Sequence, residues 1–444
     1  MRSAWCVVRW ERVQGGAGLK SSATVPVVII LTVVGYGGLV LSTLSTLSTL
    51  STLSTLSTLS TLSTLSTLST LSDPHYALQK TNPLQTNRIF YRKIESTQMK
   101  KLRRFKKASD IKCGVIGYGP SFMMGKHHLN GMTAAGMSIC AVADIDAARC
   151  KAAATDFPGI ETYLSAAEMM AKSDVDLVTV ITPHNTHAEL AIQCMDAGRH
   201  VITEKPFAIS TDECDAMIAA RDRNKVMLST YHNRHWDGWI INARKKIESG
   251  MIGDIIRIDA HLGSYQKPKD WWRGSKSISG GIMYDWGAHF IEYALQLLKG
   301  RIVEISGFMH RGYWGPSTAW KDDCIEDEAF SLVRFDDGTY LKLLISNLDS
   351  NPKPGWLEVC GTTGNFIIQP STWTAYCQEA SGPVVKEGPV GSDETFRFYQ
   401  NIVNHLLGKE DLVITAEWAR RPIHIMDWTA RSAAANRTLP AKYP

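Results

Sequence analysis

The sequence predicts an α/β protein in which a Rossmann-type, doubly wound parallel sheet precedes an α+β domain with a mostly antiparallel open sheet. Between residues 111 and 230, short apolar runs alternate with amphipathic helical patterns, as in a parallel sheet covered on both faces. After residue 236, alternating strand patterns follow one another with few helices between them. A chain of 444 residues is too long for a single core. We therefore expect a leader over residues 1–108, a first domain over 109–235 and a second over 236–444.

The individual elements follow from hydrophobic periodicity. Strand-like runs are short and rich in Val and Ile, whereas helical runs place apolar residues on one face. The predicted strands of the first domain span residues 113–116, 137–143, 175–181, 200–203 and 226–230. Its predicted helices span residues 124–135, 147–156, 165–172, 187–197 and 211–224. In the second domain we predict a helix over 239–249 and strands over 255–262, 302–309, 328–335, 339–347, 356–360 and 366–369.

The leader differs in composition from the rest of the chain. Residues 1–107 carry 14 Lys and Arg against 3 acids, a net charge of +11, which leaves 34 against 40, or −6, for the other 337 residues. The folded part is thus mildly acidic, which gives no support for nucleic-acid binding. A Leu-Ser-Thr repeat over residues 41–72 cannot present one apolar face to a core, so we expect disorder there. Met99 is a candidate for the natural start, because no apolar period precedes residue 111.

An apolar stretch over residues 25–41 bears on the location of the protein. It is slightly shorter than the ~20 residues that a membrane-spanning helix needs, and no signal-peptide cleavage site is clear. The nine cysteines form no CxxC pair and no zinc spacing, which favours reduced thiols. We expect a cytoplasmic protein, with membrane anchoring or export through this stretch as the alternative.

A glycine turn follows the first predicted strand. Gly117 and Gly119, on either side of Tyr118, provide the tight turn and the close backbone approach that a pyrophosphate requires. Phe122 occupies the place of the usual third glycine, and Gly125 appears three residues later, so we infer a longer loop. A glycine pair alone is weak evidence for nucleotide binding.

Asp144 ends the second predicted strand, 19 residues after Gly125. A carboxylate at this position accepts hydrogen bonds from ribose hydroxyls and repels a 2′-phosphate. NAD is therefore the expected cofactor, and NADP is disfavoured. Capping of the following helix is the alternative role for Asp144, although Asp146 is the better cap candidate.

Lys205, Asp285 and His289 are the candidate catalytic residues. Lys205 follows a predicted strand, and Asp285 and His289 are four residues apart, so that on a helix they would face the same way. Oxidation of a carbinol transfers a hydride to a cofactor and a proton to a base. Separately, a strand-end lysine is usually solvated and an Asp-His pair is often a surface contact. Together with a nucleotide turn, they favour an active site.

The order of these motifs resembles the Gfo/Idh/MocA family, the relatives of glucose-fructose oxidoreductase and inositol dehydrogenase. The resemblance covers about residues 111–436 and rests on the glycine turn, Asp144, the segment 182–187, Glu204-Lys205-Pro206 and the downstream Asp-His pair. It implies an NAD(P)-dependent oxidoreductase that acts on a CH–OH group of a sugar, cyclitol or related polyol.

The resemblance also implies roles for single residues. Lys205 would position the reacting hydroxyl beside the nicotinamide and help to take its proton. Asp285 and His289 would bind the sugar hydroxyls and complete proton transfer. The residues implied to hold the cofactor are Gly117, Tyr118, Gly119, Asp144, Thr182, Pro183, Asn185, His187, Glu204 and Lys205.

Further candidates come from the second domain and its border. Trp272, like Trp271 and Trp286, either forms an apolar wall for a sugar ring or fills the core. Arg234 is a candidate for contact with substrate or cofactor, with a surface ion pair as the alternative. No His, Cys and Asp cluster has metal-ligand spacing, so we expect no metal. One face of the open sheet is expected to pair with a second subunit, which gives a homo-oligomer.

Two other functions remain open from the sequence. Some proteins that resemble this chain hydrolyse glycosides through transient oxidation at bound NAD, without net formation of NADH. A dinucleotide-dependent regulator without enzymatic activity is the other possibility. Loss of Lys205 or His289 would be its usual sign, and both residues are present.

Overall fold

The computed structural model describes residues 30–34, 38–42, 105–369 and 371–443. In the leader, β1 (Ile30–Val34) and β2 (Gly38–Ser42) pair as an antiparallel two-stranded sheet. The predictions of disorder over the Leu-Ser-Thr repeat and of a start at Met99 otherwise lie outside the described residues. Within the described part of the chain, no helix has both the length and the apolarity to cross a membrane.

The first domain contains a six-stranded, wholly parallel sheet in the order β5-β4-β3-β6-β7-β8. Its strands are β3 (Lys112–Ile116), β4 (Ser138–Ala143), β5 (Glu161–Tyr163), β6 (Leu177–Val180), β7 (His200–Thr203) and β8 (Leu228–Thr230). Its helices are α1 (Met124–Ala134), α2 (Ala147–Asp156), α3 (Ala166–Lys172), α4 (His187–Asp196) and α5 (Thr211–Asn224). All four residues of β6 are buried, as expected for a strand covered on both faces.

The second domain contains a nine-stranded sheet in the order β16-β15-β14-β13-β9-β12-β11-β10-β17. Only the β12–β9 pair is parallel. The strands are β9 (Ile255–Gly263), β10 (Ile302–His310), β11 (Glu328–Phe335), β12 (Tyr340–Ser346), β13 (Leu357–Gly361), β14 (Gly364–Ile368), β15 (Thr372–Glu379), β16 (Gly382–Pro389) and β17 (Leu439–Tyr443). The helices are α6 (Gly238–Glu248), α7 (Lys276–Ser279), α8 (Trp286–Leu297), α9 (Arg397–Leu406) and α10 (Ala416–Ala435). The fold-class prediction is confirmed.

The C-terminal part of the chain returns to the first domain. Phe398 and Ile402 of α9 are fully buried in the same hydrophobic cluster as Ile111, next to β3, and Leu129 of α1. The side chain of Phe105 packs against this cluster from the N-terminal side. The first domain therefore completes its core with residues that lie almost 300 positions further along the chain.

Candidate active site

A cavity of about 1010 Å³ lies at the carboxyl ends of the parallel strands, where ligands bind in such sheets. Residues that follow β3, β4, β6, β7 and β8 form one wall. Residues 272–273 and the start of α8 form the other, so both domains contribute. The predicted site residues in the wall are Gly117, Gly119, Asp144, Thr182, Pro183, His187, Glu204, Lys205, Arg234, Trp272, Asp285 and His289.

The glycine turn has the geometry that a dinucleotide requires. Gly117 has a φ of +103°, and a Cβ there would lie 2.9 Å from the carbonyl oxygen of Ile181. A Cβ on Gly119 would meet only Arg149, at 3.7 Å, so this backbone is open towards the cavity. A Cβ on Gly125 would lie 2.5 Å from the ring of Tyr118. Gly125 thus allows the close helix packing usually provided by the third glycine, as the longer loop implied.

Tyr118 supports the turn and is not part of the cavity wall. Its backbone N–H donates to Oδ2 of Asp144 at 2.7 Å, and its hydroxyl donates to Asp156 at 2.8 Å. The other carboxylate oxygen of Asp144 accepts from the N–H of Asp146 at 3.0 Å and lies 3.5 Å from Arg149. Asp146 caps α2 through the N–H of Ala148, as predicted. Asp144 therefore joins the glycine turn to the start of α2.

Lys205 and Asp285, which both line the cavity, form an ion pair. The ammonium of Lys205 donates to Oδ1 of Asp285 at 2.5 Å, and its side chain is only 14% exposed. Asp285 is not inside a helix, as the spacing had predicted, but is the N-cap residue of α8 with non-helical backbone angles. Its carboxylate can therefore turn towards Lys205 without leaving the start of the helix.

Arg273 is a site residue that the sequence did not predict. One of its Nη atoms also donates to Oδ1 of Asp285 at 2.5 Å, and its guanidinium lies 5.4 Å from the ring centre of Phe122 and 5.1 Å from that of Trp272. Burial of the Asp285 carboxyl opposes ionisation, but the charges of Lys205 and Arg273 outweigh this and lower its pKa. Asp285 is therefore a stable anion shared by two cations.

His289 lies on α8, one turn after Asp285, and lines the same cavity as Lys205. Its side chain is buried, and its Nδ1 has no hydrogen-bond partner among the described residues. Burial, reinforced by the charges of Lys205 and Arg234, lowers the pKa of His289 well below its usual value. The imidazole is thus neutral at physiological pH, and Nδ1 is left without a partner within the described residues.

The segment 182–187 is divided between the wall and the surface. Thr182 and Pro183 line the cavity, but Asn185 is exposed and lies outside it. His187 is buried, and its two ring nitrogens lie 2.9 Å from the carbonyl oxygens of Pro206 and Thr182. The His187 ring therefore connects the loop after β6 to the segment that follows β7. His184, which the sequence did not single out, also lines the cavity and contacts the ring of Trp272 edge-on at 4.6 Å.

The remaining predicted residues are engaged within the protein. Arg234 pairs with Asp237 at 3.1 Å and lies 5.1 Å from the ring centre of Trp286. Both Arg234 and Trp272 line the cavity, whereas Trp271 does not. In the part of the chain that the structure describes, no group of three or more His, Cys, Asp or Glu side chains could hold a metal ion.

The wall residues fit a dinucleotide cofactor. An open glycine backbone and the first turn of α1 lie near one end of the cavity, and a carboxylate at the end of β4 lies beside them. The other end provides an ammonium and a neutral imidazole with an unpartnered buried nitrogen. Such an arrangement can bind a pyrophosphate and ribose, and can hold a hydroxyl group for proton transfer.

Comparisons with known proteins agree with this geometry. Residues 111–232 match the family model described as "Oxidoreductase family, NAD-binding Rossmann fold", and residues 240–367 match "GFO/IDH/MocA C-terminal domain". The two matches together cover more than half of the chain. The expectation of an NAD-binding Rossmann domain is thereby confirmed.

Individual relatives match over part of their length. An uncharacterized oxidoreductase of Schizosaccharomyces pombe is 32% identical over 32% of this chain and 39% of the relative. The scyllo-inositol 2-dehydrogenase (NADP(+)) of Bacillus subtilis is 30% identical over 44% of this chain and 54% of the relative. The chain thus aligns with about two fifths to half of these curated relatives.

Solved structures extend the similarity of the fold. A levoglucosan dehydrogenase solved in complex with NADH and levoglucosan has a TM-score of 0.65 at 19% identity. The structural alignment covers 74% of this chain and 99% of the levoglucosan dehydrogenase chain. With both domain matches and the arrangement of the two sheets in agreement, this chain is a member of the Gfo/Idh/MocA oxidoreductase family.

Proposed function

We propose that the protein transfers a hydride between the nicotinamide of NAD and a hydroxyl-bearing carbon of a sugar, cyclitol or related polyol. The observation that supports this most strongly is the Lys205–Asp285 pair, which lies with the neutral His289 in the cavity that also contains the glycine turn. The dehydrogenases among its relatives act, by their names, on scyllo-inositol and levoglucosan. Both names describe polyhydroxylated rings, the substrate class proposed here.

The residues around the cavity have complementary tasks in this proposal. Bound NAD supplies the hydride acceptor. Lys205, held by Asp285, donates a hydrogen bond to the reacting hydroxyl oxygen and stabilises negative charge on it. His289 accepts the hydroxyl proton, since its imidazole is neutral and Nδ1 lacks a partner among the described residues. Trp272 and Trp286 provide apolar walls for a sugar ring.

A substrate screen with a matched pair of variants tests the proposal. The full-length protein would be assayed with sugars and cyclitols, with NAD and with NADP, by the absorbance of the reduced cofactor. Lys205→Ala is expected to retain NADH binding and to lose about 10²–10³-fold in kcat, as for removal of a hydrogen-bond donor that stabilises developing negative charge. Lys172→Ala, at an exposed ion pair on α3, is the control and should behave like the wild type.

Four outcomes would contradict the proposal or a part of it. Near-normal turnover by Lys205→Ala would exclude Lys205 from the chemistry. Product release without net formation of NADH would favour glycoside hydrolysis through transient oxidation. Cofactor binding with no turnover of any polyol would favour a regulator. A marked preference for NADP would contradict the cofactor part of the proposal, which assigns Asp144 to the ribose hydroxyls.

We also propose that the open face of the second-domain sheet is the interface of a homo-oligomer and that the protein is cytoplasmic. Phe308 of β10 and Tyr376 of β15 are 65% and 50% exposed, and such apolar surface favours contact with another copy. The cysteines in the described part of the chain are all free thiols, which supports a reducing compartment.

A further inference from the structure

We propose that His128, on the helix that follows the glycine turn, is a positioning residue that fixes Glu204 and, through it, the backbone at Lys205. This inference rests on the function proposed above and adds to it a residue outside the cavity wall.

The contacts of Glu204 carry the argument. Its Oε1 lies 2.9 Å from Nε2 of His128, and its Oε2 accepts the backbone N–H of Lys205 at 2.8 Å. Both oxygens are therefore occupied within the protein, although Glu204 lines the cavity and was predicted to bind the cofactor. Each oxygen accepts one bond within the protein, and a carboxylate oxygen can accept a second, so a cofactor hydroxyl could bind Glu204 only as an additional donor.

The charge of Glu204 fixes the direction of the bond from His128. Burial opposes ionisation of this carboxyl, but the hydrogen bond from His128 and the nearby charges lower its pKa. An ionised carboxylate only accepts hydrogen bonds. Nε2 of His128 therefore carries the hydrogen and donates a hydrogen bond to Oε1.

The other side of the His128 ring is held equally firmly. Nδ1 lies 2.5 Å from the hydroxyl of Tyr399, on α9. The ring of Tyr399 packs so closely on α1 that a Cβ on Gly131 would lie 2.9 Å from it. Tyr231 contacts the His128 ring edge-on at 4.3 Å. The completely buried His128 is thus fixed on both sides and cannot turn away from Glu204.

This arrangement links three segments that are distant in sequence: α1, the end of β7 and α9. Without the donor at His128, the buried Glu204 carboxylate loses a partner, takes up a proton more readily and holds the N–H of Lys205 less firmly. A displacement of about 1 Å at a reacting group can cost on the order of 10²-fold in rate. His128 need not touch the substrate to have this effect.

Kinetics provide the first test. His128→Leu is expected to lower kcat by about 10²-fold, with the dissociation constant of NADH and the KM of the substrate unchanged. His128→Gln keeps an N–H donor at similar reach and should recover part of the loss. His405→Leu, on α9 away from the cavity, is the matched control. Wild-type kcat in His128→Leu, or a loss of NADH affinity as large as the loss of turnover, would overturn the proposal.

Stability provides a second test that needs no turnover. In the wild type the lowered pKa of Glu204 means that its stabilising contribution is present above the unfolded-state pKa and is lost as pH falls. In His128→Leu the pKa of this carboxyl would be higher than in the wild type, because Lys205 alone then opposes the effect of burial, so that less of this stabilisation is gained as pH rises. The gap in unfolding free energy between the two proteins should widen between about pH 4 and pH 7.

The titratable groups that face Glu204 are Lys205, His127, His128, His187, Tyr231, His232 and Tyr399.

The Glu204→Gln background isolates the titrating group. There the gap caused by His128→Leu should no longer change with pH, and a gap that widens equally in both backgrounds would overturn the proposal. If the wild type oxidises no polyol, the proposed function fails while this arm still decides the role of His128. If His128→Leu does not fold, Tyr399→Phe replaces it, with Tyr313→Phe, at an exposed position outside the cavity wall, as control. Equal kcat in these two variants would refute the proposal.

Discussion

Asp285 lies 80 residues from Lys205 in sequence, yet one oxygen of its carboxylate binds both Lys205 and Arg273. This sharing explains why Asp285 remains an anion in a site at the edge of the core. It also means that each cation is held in place by the same atom. Removal of either cation should therefore change both the charge and the geometry of the site.

Arg273→Gln tests the electrostatic part of this arrangement. With one cation removed, the pKa of Asp285 should rise from its lowered value, so that activity is lost at a higher pH on acidification. The acid limb of the pH profile of kcat/KM should shift upward. Arg301→Gln, at an exposed ion pair with Asp336, is the control. Coinciding acid limbs in the two variants would contradict the assigned effect of Arg273.

The sequence revealed some of these residues and not others, for physical reasons. Lys205 and His289 could be predicted because they belong to ordered motifs. Arg273 could not, since an arginine in a single short 3-10 turn has no local pattern and its role arises from a contact with Asp285 in the tertiary structure. The same limit applies to His128, whose partners Glu204 and Tyr399 are distant in sequence.

At the scale of elements, hydrophobic periodicity predicted the first domain well. Its strands and helices alternate as expected because the sheet is buried on both faces. The exception is β5, which has three residues, two of them exposed, and therefore no apolar run. The position of Asp285 at the N-cap of α8 was not predicted, because a four-residue spacing does not distinguish an N-cap from a residue inside the helix.

The longer glycine loop gives a prediction about α1. Gly125→Ala would place a Cβ 2.5 Å from the ring of Tyr118, so that α1 must move away from the turn. We expect a loss of about 1–3 kcal/mol in the free energy of unfolding, as for other overpacked sites, together with weaker NADH binding. Denaturant unfolding and cofactor titration measure the two effects. Gly391→Ala, where the nearest atom lies 3.4 Å away, is the control. Unchanged NADH affinity in Gly125→Ala would contradict the prediction, since it would show that cofactor binding does not depend on the packing of α1 against the turn.

At the scale of the whole molecule, the open sheet face predicts how copies associate. Phe308→Asp would place a charge on the proposed interface and should shift the protein towards monomers. Burial of an unpaired charge costs several kcal/mol, so the shift should be large. Analytical ultracentrifugation measures the change. Leu164→Asp, an exposed apolar position of the first domain, should leave the oligomeric state unchanged. An identical mass distribution for wild type and Phe308→Asp would contradict the proposed interface.

The contribution of α9 to the first-domain core has a consequence for synthesis on the ribosome. A nascent chain that ends before residue 397 contains all six parallel strands but lacks Phe398 and Ile402, which cover Leu129. Its dinucleotide half would emerge with an uncovered apolar surface, a feature that chaperones recognise. Stable cofactor binding should thus appear only after nearly the entire polypeptide has left the exit tunnel.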